Sequence, residues 1–418
     1  MPEKKPPSIL GFALFFYVFA VVLVITLMPF RFELPRRFSI FLGGTLVDSL
    51  TNILLFVPLG FLYRQAHAGA GNRWCWDVLL LGLLVSGFIE LAQLFQSGRY
   101  SSPYDVLTNG FGAWSGGWLY LRAKEYLNDK LVGQLALELP LMNLFYLLTP
   151  LLWLNGLTAG EPLYSVPILG AFGCGLLTAI WVNRLKPAGV LSANQFACVV
   201  GAWFILASLP TLVKHPKFTV ACSIFLAGLS RTPLWQKWLL VCEGRRFELP
   251  TLLRLWPIYA IYLILLVWHP LTWLSANWQF SLGFAEFDDI PGIHPILGLV
   301  AYFAAFTLLG YMVAESLGRN PASLRRIFRQ VSLSCLVWAG ALEFMRGCHP
   351  QHIASLARFG MAFGASLYGA LLYRLQLVTI QEMLTKHKDT IENKKGQSTP
   401  KKADSSLFPE EPPNASTR

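Results

Sequence analysis

The sequence predicts an all-α, polytopic integral membrane protein with about twelve transmembrane helices. Three observations carry that expectation. Hydrophobic residues make up 54% of the 418 positions and charged residues 14%, where a soluble globular domain carries about 25% charged residues. The apolar residues fall in long blocks, and about 20 such residues in a row cross a bilayer as a helix. The last third repeats features of the first at parallel spacing, as expected of a duplicated four-helix unit.

Composition also excludes classes. The formal charge of +11 is not a nucleic-acid signal, because the basic residues lie in links between apolar blocks, where they set orientation. Seven cysteines occur, with no CxxC. Cys174, Cys198, Cys222 and Cys335 fall inside apolar blocks and read as packed residues. Four His-Pro pairs (His215, His269, His294, His349) and His352 read as polar span ends, because no ligand set is completed. No metal and no cofactor is expected.

The blocks run as follows. Leu10 to Phe30 is a first helix that is retained, being too long for the apolar stretch of a signal peptide. Arg31 to Gly44 links it to a second, Leu46 to Leu62, which carries Asp48 and Asn52 one turn apart, then Pro58 and Gly60. Pro58 removes a backbone donor inside that span. Val78 to Phe95 and Tyr104 to Leu121 are the third and fourth spans. A middle block holds Ala136 to Leu154, Val166 to Asn183, Asn194 to Val213 and a shorter Phe218 to Leu229. Leu255 to His269, Ile296 to Val313, Val331 to Met345 and Ala354 to Tyr373 close the set. The chain thus divides into a four-helix unit at 1–130, a middle membrane block at 131–254, a second unit at 255–376 and a basic, disordered, cytoplasmic tail at 377–418.

The third and fourth spans hold the chemistry. Ser86, Glu90 and Gln93 share one helix face, as do Asp105, Asn109, Gly112 and Gly116. Gly112-x-x-x-Gly116 is the spacing that lets two membrane helices approach closely. Arg99 lies in the turn between the two carboxylates and is expected to pair with Asp105, with Glu90 deeper. Carboxylates this deep in apolar sequence raise a functional-site hypothesis, although buried structural ion pairs occupy such places too.

These residues resemble the VanZ-like family of integral membrane proteins, named for a teicoplanin-resistance factor. The likeness rests on Thr26-Leu-Met-Pro29-Phe30, Asn52-x-x-x-Phe56-x-Pro58-Leu59-Gly60, Ser86-x-x-x-Glu90-x-x-Gln93, Arg99, Asp105 and Asn109-x-x-Gly112. It implies a bacterial envelope protein, and an architecture more firmly than a reaction. In the last third, Phe306 to Gly310 is similar to Phe56 to Gly60, and Glu343 to Glu90. Counting back from Gly364 sets Ala357 against Asp105 and Met361 against Asn109, so the second unit reads as having lost the polar set.

Twelve spans place both termini on one side. With the termini cytoplasmic, 26 of the 34 Lys and Arg fall on that side and 8 outside, as positive charge favours. Asp48, Asn52, Glu90, Gln93, Arg99, Asp105 and Asn109 then meet in the outer half of the membrane. The function expected is an envelope protein whose outer pocket binds a lipid headgroup or amphipathic molecule, with membrane lipids as its partners. The alternatives are a transporter, or an intramembrane enzyme on a lipid-linked substrate. No catalytic set is assigned, since no nucleophile elbow, metal motif or nucleotide loop is present.

Overall fold

The computed structural model describes residues 8–397 apart from 28–29, 31, 35–40, 42, 68–74, 97–98, 127–128, 159–163, 188, 190, 242–246, 274, 276, 285–292 and 318–323. Met28 and Pro29 of the first motif, the loop arginines Arg31, Arg36 and Arg37, and the tail from 398 lie outside the described residues. The fold is all-α. Seven of the described helices are long and apolar enough to cross a membrane, and the protein is a membrane protein.

The first unit is α1 (Ile9–Thr26), α2 (Leu46–Ala66), α3 (Trp76–Gln93) and α4 (Pro103–Tyr126). Three of the four starts are set locally. Ser8 caps α1 by accepting from the Gly11 amide at 3.2 Å. Thr45 and Asp48 cap α2 reciprocally, in the arrangement that satisfies two orphan amides at once. Pro103 opens α4, where its missing N–H costs nothing.

α2 and α4 lie backbone to backbone. A Cβ on Gly60 would overlap the Ala113 carbonyl, one on Gly116 the Val57 carbonyl, and one on Gly112 the Ile53 carbonyl. Helix axes approach this closely only where side chains are absent. α2 stays helical through Pro58.

The middle block holds α5 (Asp129–Thr158), α6 (Ser165–Ile180) continued by a π-turn at Trp181–Leu185, α7 (Ala193–Ala207), α8 (Leu209–Lys214), α9 (Pro216–Arg231) and α10 (Pro233–Leu239). The block expected to span Asn194 to Val213 is broken between α7 and α8. Pro210 lacks the donor that would continue the ladder, and the Ser208 hydroxyl takes the Phe204 carbonyl at 2.5 Å.

The last third is α11 (Glu248–Trp268), α12 (Ile293–Ser316), α13 (Leu324–Gly347) and α14 (Leu356–Gln397). α12 meets α14 as α2 meets α4. A Cβ on Gly310 would overlap the Ser366 carbonyl, and one on Gly369 the Thr307 carbonyl. α11 packs chiefly on α6 of the middle block, whereas α1 packs on α2. The one sheet among the described residues is a two-residue parallel ladder, Phe280–Ser281 with Ala354–Ser355.

The tail departs from expectation, since α14 runs on as helix to Gln397. No glycine or proline falls between Gly369 and Gly396, and the run is rich in Leu, Gln, Glu and Lys, which favour helix. Low hydrophobicity was the reason to expect disorder, but a helix of these residues needs no apolar face of its own when it extends a packed one.

Candidate functional site

The N-terminus of α4 carries orphan amides, as every helix does. Here a carboxylate from the neighbouring helix takes one. Glu90, on α3 and 5% exposed, accepts from the Ser102 amide at 2.6 Å. Ser101 is buried beside the same carboxylate. The Ser102 contact is short and charge-assisted, the stronger kind of hydrogen bond. One turn deeper, the Asn109 amide nitrogen donates to the Ser86 hydroxyl at 2.9 Å.

Asp105 is half-buried across the seam from α2. The Asn52 side chain is its polar neighbour on α2, and the Asp48 carboxylate its charged one. Asp48 itself accepts from the Thr45 hydroxyl at 2.7 Å and the Thr45 amide at 3.3 Å. Ser49 donates to the Tyr104 hydroxyl at 3.2 Å and ties the two helices beside this group. Asp48 and Asn52 on α2 thus lie beside Asp105 on α4, and Glu90 and Ser86 on α3 meet α4 at Ser102 and Asn109.

Two residues expected among these are placed differently. Gln93 turns away and donates to the Thr26 carbonyl at 2.9 Å, and Gln96 to the Leu27 carbonyl at 2.5 Å. Together they satisfy the open end of α1. Gln93 is thus a clamp between α3 and α1, one helical position past the face that meets α4. Arg99 is exposed at the turn, near Glu90. The glycine seam brings the Asn52 face of α2 against α4 beside Asp105.

The last third holds a counterpart in which the charges differ. Glu343 on α13 accepts from the Ser355 amide at 2.9 Å and from the Tyr302 hydroxyl at 2.9 Å. Ser102 and Ser355 each follow their glutamate by 12 residues. Each serine also caps its helix, accepting from the Asp105 amide and the Arg358 amide respectively. The register read from Gly364 is therefore one residue short. Gly369, not Gly364, meets α12 as Gly116 meets α2. Arg358 stands in the place of Asp105, and Ala362 and Ala339 in those of Asn109 and Ser86. Where Asn52 lies beside Asp105, the Tyr302 ring lies 5.6 Å from the Arg358 guanidinium. The two ends of the chain thus share the glutamate–serine contact and differ in the polar residues around it.

Sequence reasoning missed Ser101 and Ser102 as neighbours of Glu90. Ser-Ser-Pro ahead of an apolar run is a helix-start signal that could have found them. It also missed the Arg64–Asp77 ion pair at 3.3 Å, with Arg64 3% exposed, which joins the far ends of α2 and α3.

The histidines act as ties. His349 meets the Pro270 carbonyl at 2.8 Å and the Thr272 hydroxyl at 2.9 Å, and His352 meets the His269 carbonyl at 2.7 Å. No group of three or more His, Cys, Asp or Glu able to hold a metal occurs among the described residues. Burial, with Arg346 nearby, pushes His352 down to about 4. An unfolded histidine titrates near 6.5, so below that pH the open loop binds the extra proton and the closed one does not. Acidification from neutral pH toward 4 should therefore loosen this tie. Protection factors of the amides of residues 348–355, corrected for the intrinsic pH dependence of exchange, should fall from pH 7 to pH 5, and His352→Gln should remove that fall.

Residues 8–128 match the model of the family described as VanZ/LLP1, so this segment is a VanZ-like domain. Compared with curated proteins and with solved structures, the chain finds no match.

Proposed function

We propose that the VanZ-like domain holds the headgroup of an outer-leaflet lipid, or of another amphipathic envelope molecule, in the bacterial cytoplasmic membrane. One observation carries this reading. The polar patch opens at the α2–α4 seam beside Leu46, Val47, Leu50 and Leu107, all exposed on the protein. In a bilayer such side chains face lipid, so the ligand that reaches Asp48 and Asp105 sideways has an apolar body and a polar head. The family resemblance suggests a part in envelope modification or glycopeptide resistance.

In this reading the chain crosses twelve times, with α7 and α8 as one crossing, α10 between crossings, and both termini cytoplasmic. The last third is a diverged copy of the first, supported by the paired glycine seams and the paired glutamate–serine contacts. An impermeant thiol reagent should leave a cysteine at Ser398 unlabelled in intact cells and label it after lysis. Labelling of intact cells would overturn the orientation. Asp105→Asn should abolish the cellular phenotype, while Glu343→Gln should leave most of it. Equal losses would make the two units a functional pair.

A transporter reading has one observation in its favour. Asn143 on α5 and Tyr311 on α12 both donate to the buried Gln376 amide oxygen on α14. This second polar cluster lies toward the other membrane face, and flux of a labelled ligand into vesicles would favour that reading over binding alone.

A further inference from the structure

We infer that the stretch between α11 and α12, from Leu271 to Phe284, is seated in the headgroup zone of the lipid leaflet in which α14 begins. In the orientation proposed above this is the outer leaflet, but the inference does not depend on which leaflet it is. From Leu255 to Ala285 the chain carries no Asp, Glu, Lys or Arg, although α11 ends at Trp268. The described residues after it, to Phe284, form no helix. A link in water is expected to be polar, as Arg231 to Arg254 is. This one instead carries Trp273, Trp278, Phe280 and Phe284. Trp273 is 94% exposed and Leu282 73%.

The independent observation is what this stretch packs on. α13 exposes Leu333, Val337, Ala341 and Phe344, spaced i, i+4, i+8 and i+11 on one helix face. All four are apolar, so in a membrane helix that face meets lipid. Trp278 stacks on Phe344, at the end of the stripe, with ring centroids 6.4 Å apart. Phe280 stacks on Trp278 at 5.5 Å. The lipid-facing stripe thus continues, ring on ring, from the end of α13 onto the loop.

Backbone contacts fix the loop at that height. The Ser275 amide donates to the Cys348 carbonyl at 2.8 Å, and the Gln279 amide to the Gly347 carbonyl at 3.0 Å. Phe280 and Ser281 pair with Ala354 and Ser355, immediately before α14. Ser355, which meets Glu343, also donates from its hydroxyl to the Gly283 carbonyl at 2.6 Å. The exposed rings are therefore held where α13 ends and α14 starts.

That height selects the headgroup zone over its neighbours. The loop has too few internal hydrogen bonds to enter hydrocarbon, where open backbone groups are costly. In water it would expose an apolar patch with nothing to cover it. Tryptophan rings settle between the two, at the level of the headgroups.

The test uses the full-length protein in phosphatidylcholine liposomes. The photocrosslinking residue p-benzoylphenylalanine, which attaches to neighbouring C–H bonds on irradiation, is placed in turn at positions 273, 282, 337 and 385. Position 337 lies on the lipid-facing stripe and is the positive control. Position 385 is exposed on α14 and is the negative control. It lies about 43 Å along that helix, past a hydrocarbon core of about 30 Å. Mass spectrometry should find phospholipid adducts at 273 and 282, as at 337, and none at 385. Fragmentation should place the adducts of 273 and 282 nearer the glycerol than those of 337. Trp273 and Leu282 are exposed enough for exchange to leave the core untouched, and either position decides the matter if the other variant folds poorly.

Lipid adducts at 273 and 282 no more abundant than at 385 would overturn the inference. Crosslinking of two protein copies in place of lipid would overturn it too, by making the loop a contact between copies. So would adducts attached as deep in the chains as those of 337.

Discussion

Gly116→Leu is expected to prevent stable assembly of the first four-helix unit. The new side chain would have to occupy the place of the Val57 carbonyl and the Phe61 amide of α2. Those are backbone atoms inside a helix, so no rotamer change makes room. Overpacking a core costs about 1–3 kcal/mol where side chains can yield, and more where they cannot. Here the cost should exceed about 3 kcal/mol on that scale, because separating α2 from α4 also breaks the Gly60 and Gly112 contacts. Thermal unfolding of the purified protein should show a large drop in midpoint, or no folded protein should be recovered. Gly87→Ala is the control. A Cβ there meets nothing within 4 Å, and the exchange should stabilise α3 slightly through helix propensity.

The glycine seam shows what a single sequence can and cannot reveal. The spacing of Gly112 and Gly116 marks a helix face made for close approach. It does not say which helix approaches, or that Gly60 meets the same seam from the other side. Helical periodicity likewise puts Ser86, Glu90 and Gln93 on one stripe of α3. A helical stripe is wide enough to face two neighbours, and only the fold divides it, sending Glu90 to α4 and Gln93 to α1. Nearness in sequence points to Arg99 as a partner of Asp105. The fold also sets Asn52, 53 residues away, beside Asp105, and no local signal records such a neighbour. The last third differs from its sequence register for a related reason. Glycine is common in membrane helices, so Gly364 matches Gly112 in sequence, while the hydrogen bonds of Ser355 and the contact of Gly369 fix the register one residue on.

That register separates two roles of the glutamates. Glu90 and Glu343 each accept a backbone amide at the start of the following helix, and Glu343 accepts the Tyr302 hydroxyl as well. In both units the glutamate therefore closes a helix end that would otherwise leave a buried donor unmet. Glu90→Leu should strand the Ser102 amide. Glu343→Leu should strand the Ser355 amide and the Tyr302 hydroxyl. A buried donor left without a partner costs about 1–3 kcal/mol, so Glu90→Leu should lose roughly 1–3 kcal/mol and Glu343→Leu roughly 2–6 kcal/mol by the same reckoning. Glu→Gln keeps an acceptor oxygen in place, so Glu90→Gln and Glu343→Gln should stay close to the native stability. Function should divide differently. Glu90→Gln should weaken ligand binding because it removes a charge from the acidic patch, whereas Glu343→Gln should not. Unfolding midpoints and lipid affinities measured on the four variants test both halves. If Glu343→Leu is as stable as the native protein, the amide contact in the last third does not hold α13 to α14. The structural equivalence of the two glutamates would then have to be abandoned.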